Sequence, residues 1–245
     1  MNIKNPIFEL LENRTVAREK GIYSCCSANA YVIRAALRRA KAKNTVVLVE
    51  ATANQVNQNG GYTGMTPKDF RHFLNQIATE EDFPKNRLLC GGDHLGPLTW
   101  QNLPEMQAMA NAEELIRSYV LAGFSKIHID TSMRVADDAQ DQRLSDAVIA
   151  RRGARLCQVA EDAFAQYSKD HPEAPAPVYV IGSEVPIPGG AQENEDSVTV
   201  TSPEDCEATL EEFRQAFATL GLEDAWSRVI AVVVQPGVEF ADESV

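Results

Sequence analysis

A parallel α/β fold is predicted by two features of this 245-residue sequence. Short runs rich in β-branched residues alternate with longer segments whose apolar residues recur every three or four positions, and no linker or low-complexity stretch breaks the rhythm. The runs are also continuously apolar instead of alternating, as strands buried on both faces are.

Six runs read as strands: residues 21–27 (GIYSCCS), 45–51 (TVVLVEA), 88–92 (LLCGG), 126–130 (KIHID), 178–182 (VYVIG) and 228–235 (RVIAVVVQ). Helices fill the intervals. Thr66-Pro67-Lys68-Asp69 and Ser202-Pro203-Glu204-Asp205 each place a capping hydroxyl before a proline suited to the first helical turn. Residues 31–43, 112–122, 146–167 and 208–220 carry the apolar stripe of a helix that buries one side. Six βα units use up the chain. Eight units at this spacing would need roughly 300 residues or more, so the alternatives are an open doubly wound sheet or a barrel that stops after its sixth strand. The ending Gln235-Pro236-Gly237-Val238-Glu239-Phe240, a strand running into a loop, favours the second.

Composition narrows the function. The formal charge of −12 and pI near 4.8 oppose binding to a phosphate backbone, so nucleic acid is not expected as a partner. No apolar stretch is long enough to span a membrane and the first eleven residues lack a secretory pattern, which predicts a cytoplasmic protein. Five cysteines without Cys-x-x-Cys spacing are expected as reduced, mostly buried thiols.

In parallel α/β folds the loops after the strands converge on one mouth, and polar residues stand at every such position. They are Ser27 in the first loop; Glu50, Asn54 and Gln55 around the second; Asp93, His94 and Gly96 at the third; His128, Asp130 and Ser132 at the fourth; Glu184 at the fifth; and Gln235 at the sixth. Asp93-His94 is the sharpest pair, because imidazole ligates metals while a neighbouring carboxylate moves protons. His128 and Asp130, two residues apart on one strand, share a face, and for His128 packing is nearly as good a reading as chemistry. The remaining histidines, His72 and His171, read as helix-surface and turn residues. The glycine-containing segment 58–65 (QNGGYTGM) could wrap a phosphate or simply shape the mouth, and it matches no nucleotide-binding fingerprint.

The strings GIYSCCSAN, VEATANQVNQNGGYTGMTP, GGDHLGPLTWQNLP, KIHIDTSM, IGSEVPIPGGA and VVVQPGVEF together closely resemble the Z-type subunits of D-tagatose-1,6-bisphosphate aldolase (GatZ/KbaZ) over residues 21–240. Similar proteins carry an older label, tagatose 6-phosphate kinase, which no motif here supports. The resemblance implies a (β/α)₈ TIM barrel of class II aldolase type, with only about six βα units in this chain. It implies catalytic roles for Asp93, Asp130 and Glu184, with Asp93 in proton transfer, and metal ligation, most naturally of zinc, for His94. Ser27, Glu50, Asn54, Gln55, Gly96, Ser132 and Gln235 are the expected substrate contacts. The family continues beyond this ending into a further strand, so the zinc site is expected to lack a ligand in this form. As function it implies a noncatalytic subunit that supports a Y-type class II aldolase subunit in the catabolism of D-tagatose 6-phosphate, galactitol and N-acetylgalactosamine. The partners are then that subunit and a small phosphorylated sugar, with a homo-oligomer left open. The alternative is a metal-dependent ketohexose or sugar-phosphate 4-epimerase that works by retro-aldol chemistry.

Overall fold

The computed structural model describes residues 4–12, 21–139, 143–182 and 200–235. Helix α1 (Pro6–Glu12) precedes strand β1 (Ser24–Cys26), and then α2 (Ala30–Lys43), β2 (Val47–Thr52), α3 (Pro67–Glu80), β3 (Leu88–Leu95), α4 (Glu105–Leu121), β4 (Lys126–Ile129), α5 (Asp146–Asp170), β5 (Val178–Gly182), α6 (Pro203–Thr219), α7 (Glu223–Trp226) and β6 (Val229–Val233) follow. Each predicted strand is present. The third runs on through Asp93 and His94, and α4 begins at Glu105, seven residues before the apolar stripe alone suggested. The Thr66 hydroxyl accepts from Asp69 N–H and the Asp69 side chain answers the Thr66 N–H, closing a capping box; Ser202 caps α6 by accepting from Asp205 N–H.

All strand pairs are parallel and their order in space is β1-β2-β3-β4-β5-β6. This order excludes the doubly wound alternative. A doubly wound sheet reverses direction at a switch point so that helices cover both faces, whereas crossovers of one hand between successive neighbours put every helix on one face. The sheet is therefore the wall of a (β/α) barrel, open among the described residues between β1 and β6.

On the helical side lies the main core, where Val47, Val49, Cys90, Ile127, Ile129, Tyr179 and Ile181 meet Leu37, Phe70, Leu74, Ile116, Leu156 and Phe213. The inner side has its own cluster at the end where strands begin: Ile7 of α1 packs on Leu48, Leu89 and Val178. Asn5 fixes that plug by donating through Nδ2 to Ser125 O at 3.0 Å and Ala176 O at 3.1 Å. Helix α1 thus closes the lower end of the wall, which leaves the opposite end as the mouth.

The loop after β4 is held by charge. Arg152 of α5, only 1% exposed, reaches Asp138 at 2.7 and 2.9 Å and Glu105 at 2.7 Å. Arg151 joins Glu105 at 2.8 Å. These bonds from Arg151 and Arg152 outweigh burial and bring the Glu105 carboxyl down to about 2. A carboxylate lowered on folding stabilises above its unfolded pKa of about 4.3 and loses that contribution as pH falls toward its folded value. Unfolding free energy is accordingly expected to drop between pH about 4.5 and about 2. In urea titrations across that window Glu105→Gln should show a visibly shallower slope, and a slope equal to that of the parent would remove Glu105 from the acid response.

Candidate functional site

Register decides what faces the interior. Leu48 pairs with Leu89, Glu50 with Gly91, Thr52 with Asp93 and Gly91 with Lys126, while Lys126 and His128 lie beside Val178 and Val180. Partners in register share a face, so above the apolar plug the inner wall carries Glu50 and Lys126, then Asp93 and His128. Buried charge needs partners there. Lys126 Nζ lies 2.6 Å from Glu50 Oε1 and 3.8 Å from Asp93 Oδ1, and the Ser24 hydroxyl donates to Glu50 Oε2. Room for the Glu50 carboxylate comes from Gly91, where a Cβ would stand 2.3 Å from Oε1.

The end of β3 departs from regular pairing. Its register with β4 shifts between Gly92 and Leu95, and His94 takes a left-handed backbone at φ 47°. Strict alternation would send Asp93 and His94 to opposite faces; the bulge lets both reach the mouth. A left-handed histidine costs about 1 kcal/mol or more, a strain typical of sites that must aim a side chain. Two carboxylate–imidazole pairs result: His94 Nδ1 lies 2.8 Å from Asp130 Oδ2, and His128 Nδ1 lies 2.9 Å from Asp93 Oδ1. The rings stand 4.6 Å apart. The His94 amide is also 3.2 Å from His128 Nδ1, but that nitrogen can accept from the amide or donate to Asp93, not both. Donation to the ionised carboxylate is the shorter and charge-assisted choice. Ser132 steadies the other pair, its hydroxyl donating to Asp130 Oδ1 at 2.7 Å and its amide at 3.2 Å.

Burial pushes the Asp93 carboxyl upward, yet the bond from His128 and the charges of Lys126, His128 and His94 prevail and hold it well below the usual carboxylate range. Burial likewise lowers the His94 imidazole, and the Asp130 bond with the charges of Asp130 and Asp93 overcomes it, so the net shift is upward. Asp93 is thus an anion at neutral pH.

Does this cluster fit a divalent cation? Donor atoms of Asp93, His94 and His128 all lie within 4.8 Å of one another. With each Nδ1 on a carboxylate, Nε2 of both rings is left to ligate, the arrangement usual for metal-binding histidines, and Asp93, bonded to the far nitrogen of His128, then serves as that ring's outer partner and not as a third ligand. His128 Nε2 is buried and has no hydrogen-bond partner, the kind of orphaned acceptor that a cation would satisfy. The charge fits as well, since Glu50, Asp93 and Asp130 against Lys126 leave two negative charges inside the wall when both imidazoles are neutral. Asp93, His94 and His128 all come from β3 and β4, so the cluster does not depend on any later strand.

The sequence pattern of the D-tagatose-1,6-bisphosphate aldolase subunit GatZ/KbaZ-like family matches residues 7–245. The chain belongs to this family. A solved structure from Sinorhizobium meliloti 1021, described as a probable tagatose 6 phosphate kinase, is 47% identical with a TM-score of 0.78, covering 92% of this chain and 51% of that one. This GatZ/KbaZ-like chain therefore spans about half the length of that relative. The YdjI aldolase from Escherichia coli K12 is 15% identical with a TM-score of 0.46, covering 94% of this chain and 71% of that one.

The residues expected at the mouth of this GatZ/KbaZ-like chain divide into groups. Asp93, His94 and Asp130 come together with Ser132. Glu50 lies deeper, 1% exposed and bound to Lys126. Asn54 Oδ1 accepts from Thr99 Oγ1 at 3.0 Å, tying the second mouth loop to the third, while Gln55 Oε1 accepts from Thr52 N at 2.9 Å. Ser27 Oγ accepts from Asn29 N at 3.1 Å ahead of α2. Gly96 is a steric device: a Cβ there would meet Asp130 O at 1.6 Å. Gln235 N donates to Thr201 Oγ1 at 2.8 Å, beside the start of α6. Glu184 lies outside the described residues. Lys126, Ser24 and Gly91 were missed as site residues. For Lys126 the signal was present, since a lysine two positions before His128 in a buried strand must share its face.

Proposed function

We propose that this chain acts as the Z-type subunit of a tagatose-1,6-bisphosphate aldolase, sustaining the activity and stability of a Y-type class II aldolase subunit that yields glycerone phosphate and glyceraldehyde 3-phosphate. Membership of the GatZ/KbaZ-like family over residues 7–245 carries this reading. No helix among the described residues is long and apolar enough to cross a membrane, in keeping with a water-borne sugar phosphate as the substrate of the complex. The test is co-purification of this chain with a Y-type aldolase and assay of tagatose 1,6-bisphosphate cleavage. A stable complex with severalfold higher activity or longer half-life is the expected result, and absence of any association would sink the proposal.

The intact pairs Asp93–His128 and His94–Asp130 favour a second reading, a sugar-phosphate 4-epimerase. A divalent cation on His94 and His128, zinc being the natural choice for this donor set, would supply a Lewis acid for a substrate carbonyl. In retro-aldol chemistry Asp93, already ionised, accepts the proton of the hydroxyl on the carbon that becomes an aldehyde. The His128 N–H on Asp93 stabilises that carboxylate, and Ser132 keeps Asp130 on His94. Formation of fructose 6-phosphate from tagatose 6-phosphate with added zinc, lost in Asp93→Asn, would establish this activity; no product at any zinc level would exclude it.

A further inference from the structure

We propose that Arg71 and Tyr167 form a binding site for an organic anion, a carboxylate carried on an apolar body, on the helical side of the wall and away from the mouth. Two cavities meet at this pair. One, of about 430 Å³, lies beside the start of β3, the turn after α4 and the end of α5, and the other, of about 570 Å³, is lined by α3 and α4. Arg71 and Tyr167 line both. Each volume falls within the roughly 300–1,000 Å³ usual for small-molecule sites.

Both side chains have donors to spare. The Arg71 guanidinium carries five N–H groups, and its one hydrogen bond among the described residues runs from Nη1 to Cys90 Sγ. Burial outweighs the Arg71 charge and raises the Cys90 thiol, so the guanidinium faces a neutral sulfur, a weak acceptor. Tyr167 makes no hydrogen bond among the described residues, and burial raises its phenol, which keeps the hydroxyl a donor. Its ring is stacked on His171 with centroids 4.2 Å apart. Gly123, at φ 83°, leaves room for the hydroxyl, which a Cβ there would approach to 2.6 Å.

Charge and lining select the ligand class. Around the smaller cavity Lys4, Arg71 and Lys85 stand against one carboxylate, Glu173. Lys4 pairs with Glu12 and Glu173 lies 3.7 Å from His171 Nδ1, which leaves Arg71 and Lys85 to attract an anion. In the larger cavity Lys68 stands near Arg71, while Glu114 lies 3.8 Å from Arg117. Leu88, Val120, Phe124 and Phe164 make one wall of the smaller cavity carbon-rich, a surface that shelters an alkyl or aromatic body and offers little to the hydroxyls of a sugar. A carboxylate head matches the fork of the guanidinium.

Octanoate is the probe, titrated calorimetrically into the purified chain at neutral pH. We expect saturable binding, weakened about tenfold or more in Arg71→Gln, the size of a lost charge-assisted hydrogen bond. Octan-1-ol has the same body without the charge; it should bind the parent more weakly than octanoate does and bind the variant no differently from the parent. Tyr167→Phe removes only the hydroxyl and should weaken octanoate severalfold, which supplies the same comparison should the arginine variant fail to fold. Inorganic phosphate should not displace octanoate at equal concentration. Absence of octanoate binding to the parent, equal affinity in the variants, equal affinity for octanol, or displacement by phosphate would each overturn the proposal.

Discussion

Replacing Gly96 by alanine is expected to destabilise the protein by at least about 4 kcal/mol, or to abolish soluble expression, a loss of the size seen only when the backbone itself must move. Gly96 is in extended conformation, so its φ of −176° is open to any residue and the difficulty is space alone. The added Cβ would sit 1.6 Å from Asp130 O and 2.7 Å from its carbonyl carbon. Neither is a flexible side-chain tip. The neighbouring bond from Asp130 N to Leu95 O, 3.0 Å long, zips the ends of β3 and β4 together at that level, so relief would require parting the strands that carry His94 and Asp130. Urea unfolding or soluble yield reads the outcome. A folded Gly96→Ala protein within about 1 kcal/mol of the parent would contradict so close an approach.

His128→Ala and His94→Ala are each expected to weaken zinc binding by about a hundredfold or more, since each removes one of the two imidazole donors. The His128 variant decides more, because that residue is 3% exposed and reads nearly as well as packing in the sequence. Ser132→Ala removes only the hydroxyl that steadies Asp130 on His94, and a loss of about tenfold is expected, as for other outer partners of ligating histidines. Chelator competition measures all three. If His128→Ala binds zinc as the parent does, its orphaned Nε2 has a purely structural explanation and His94 alone of the two imidazoles holds the ion.

How much of the site could be read in advance depends on what each element needs. The Asp93-His94 pair stood out because two reactive side chains lie at a strand end, and the His128–Asp130 spacing placed both on one strand. Asp130 nonetheless pairs with His94, and His128 with Asp93, across strands. Linear spacing cannot show that exchange, because the bulge between Gly92 and Leu95 and the left-handed His94 create it. Gly96 was expected among the substrate contacts from the resemblance, and only the packing shows that its missing side chain also lets two backbones meet. Glu50 stands near the end of its strand in the sequence, but the register with Gly91 places it below the mouth.

The sequence by itself determined the six strands, the capped helices between them and the acidic, unlinked character of the chain, because apolar periodicity and capping hydroxyls act over a few residues. Its strings also resembled the family that the matched pattern then identified. Tertiary structure alone decided that the strands stand in the order one to six with the crossover helices on one side, that α1 plugs the lower end, and that Glu50, Lys126, Asp93 and His128 form successive charged layers above it. Those outcomes depend on which strands pair, in what register and with what room between them, and such contacts join residues tens of positions apart.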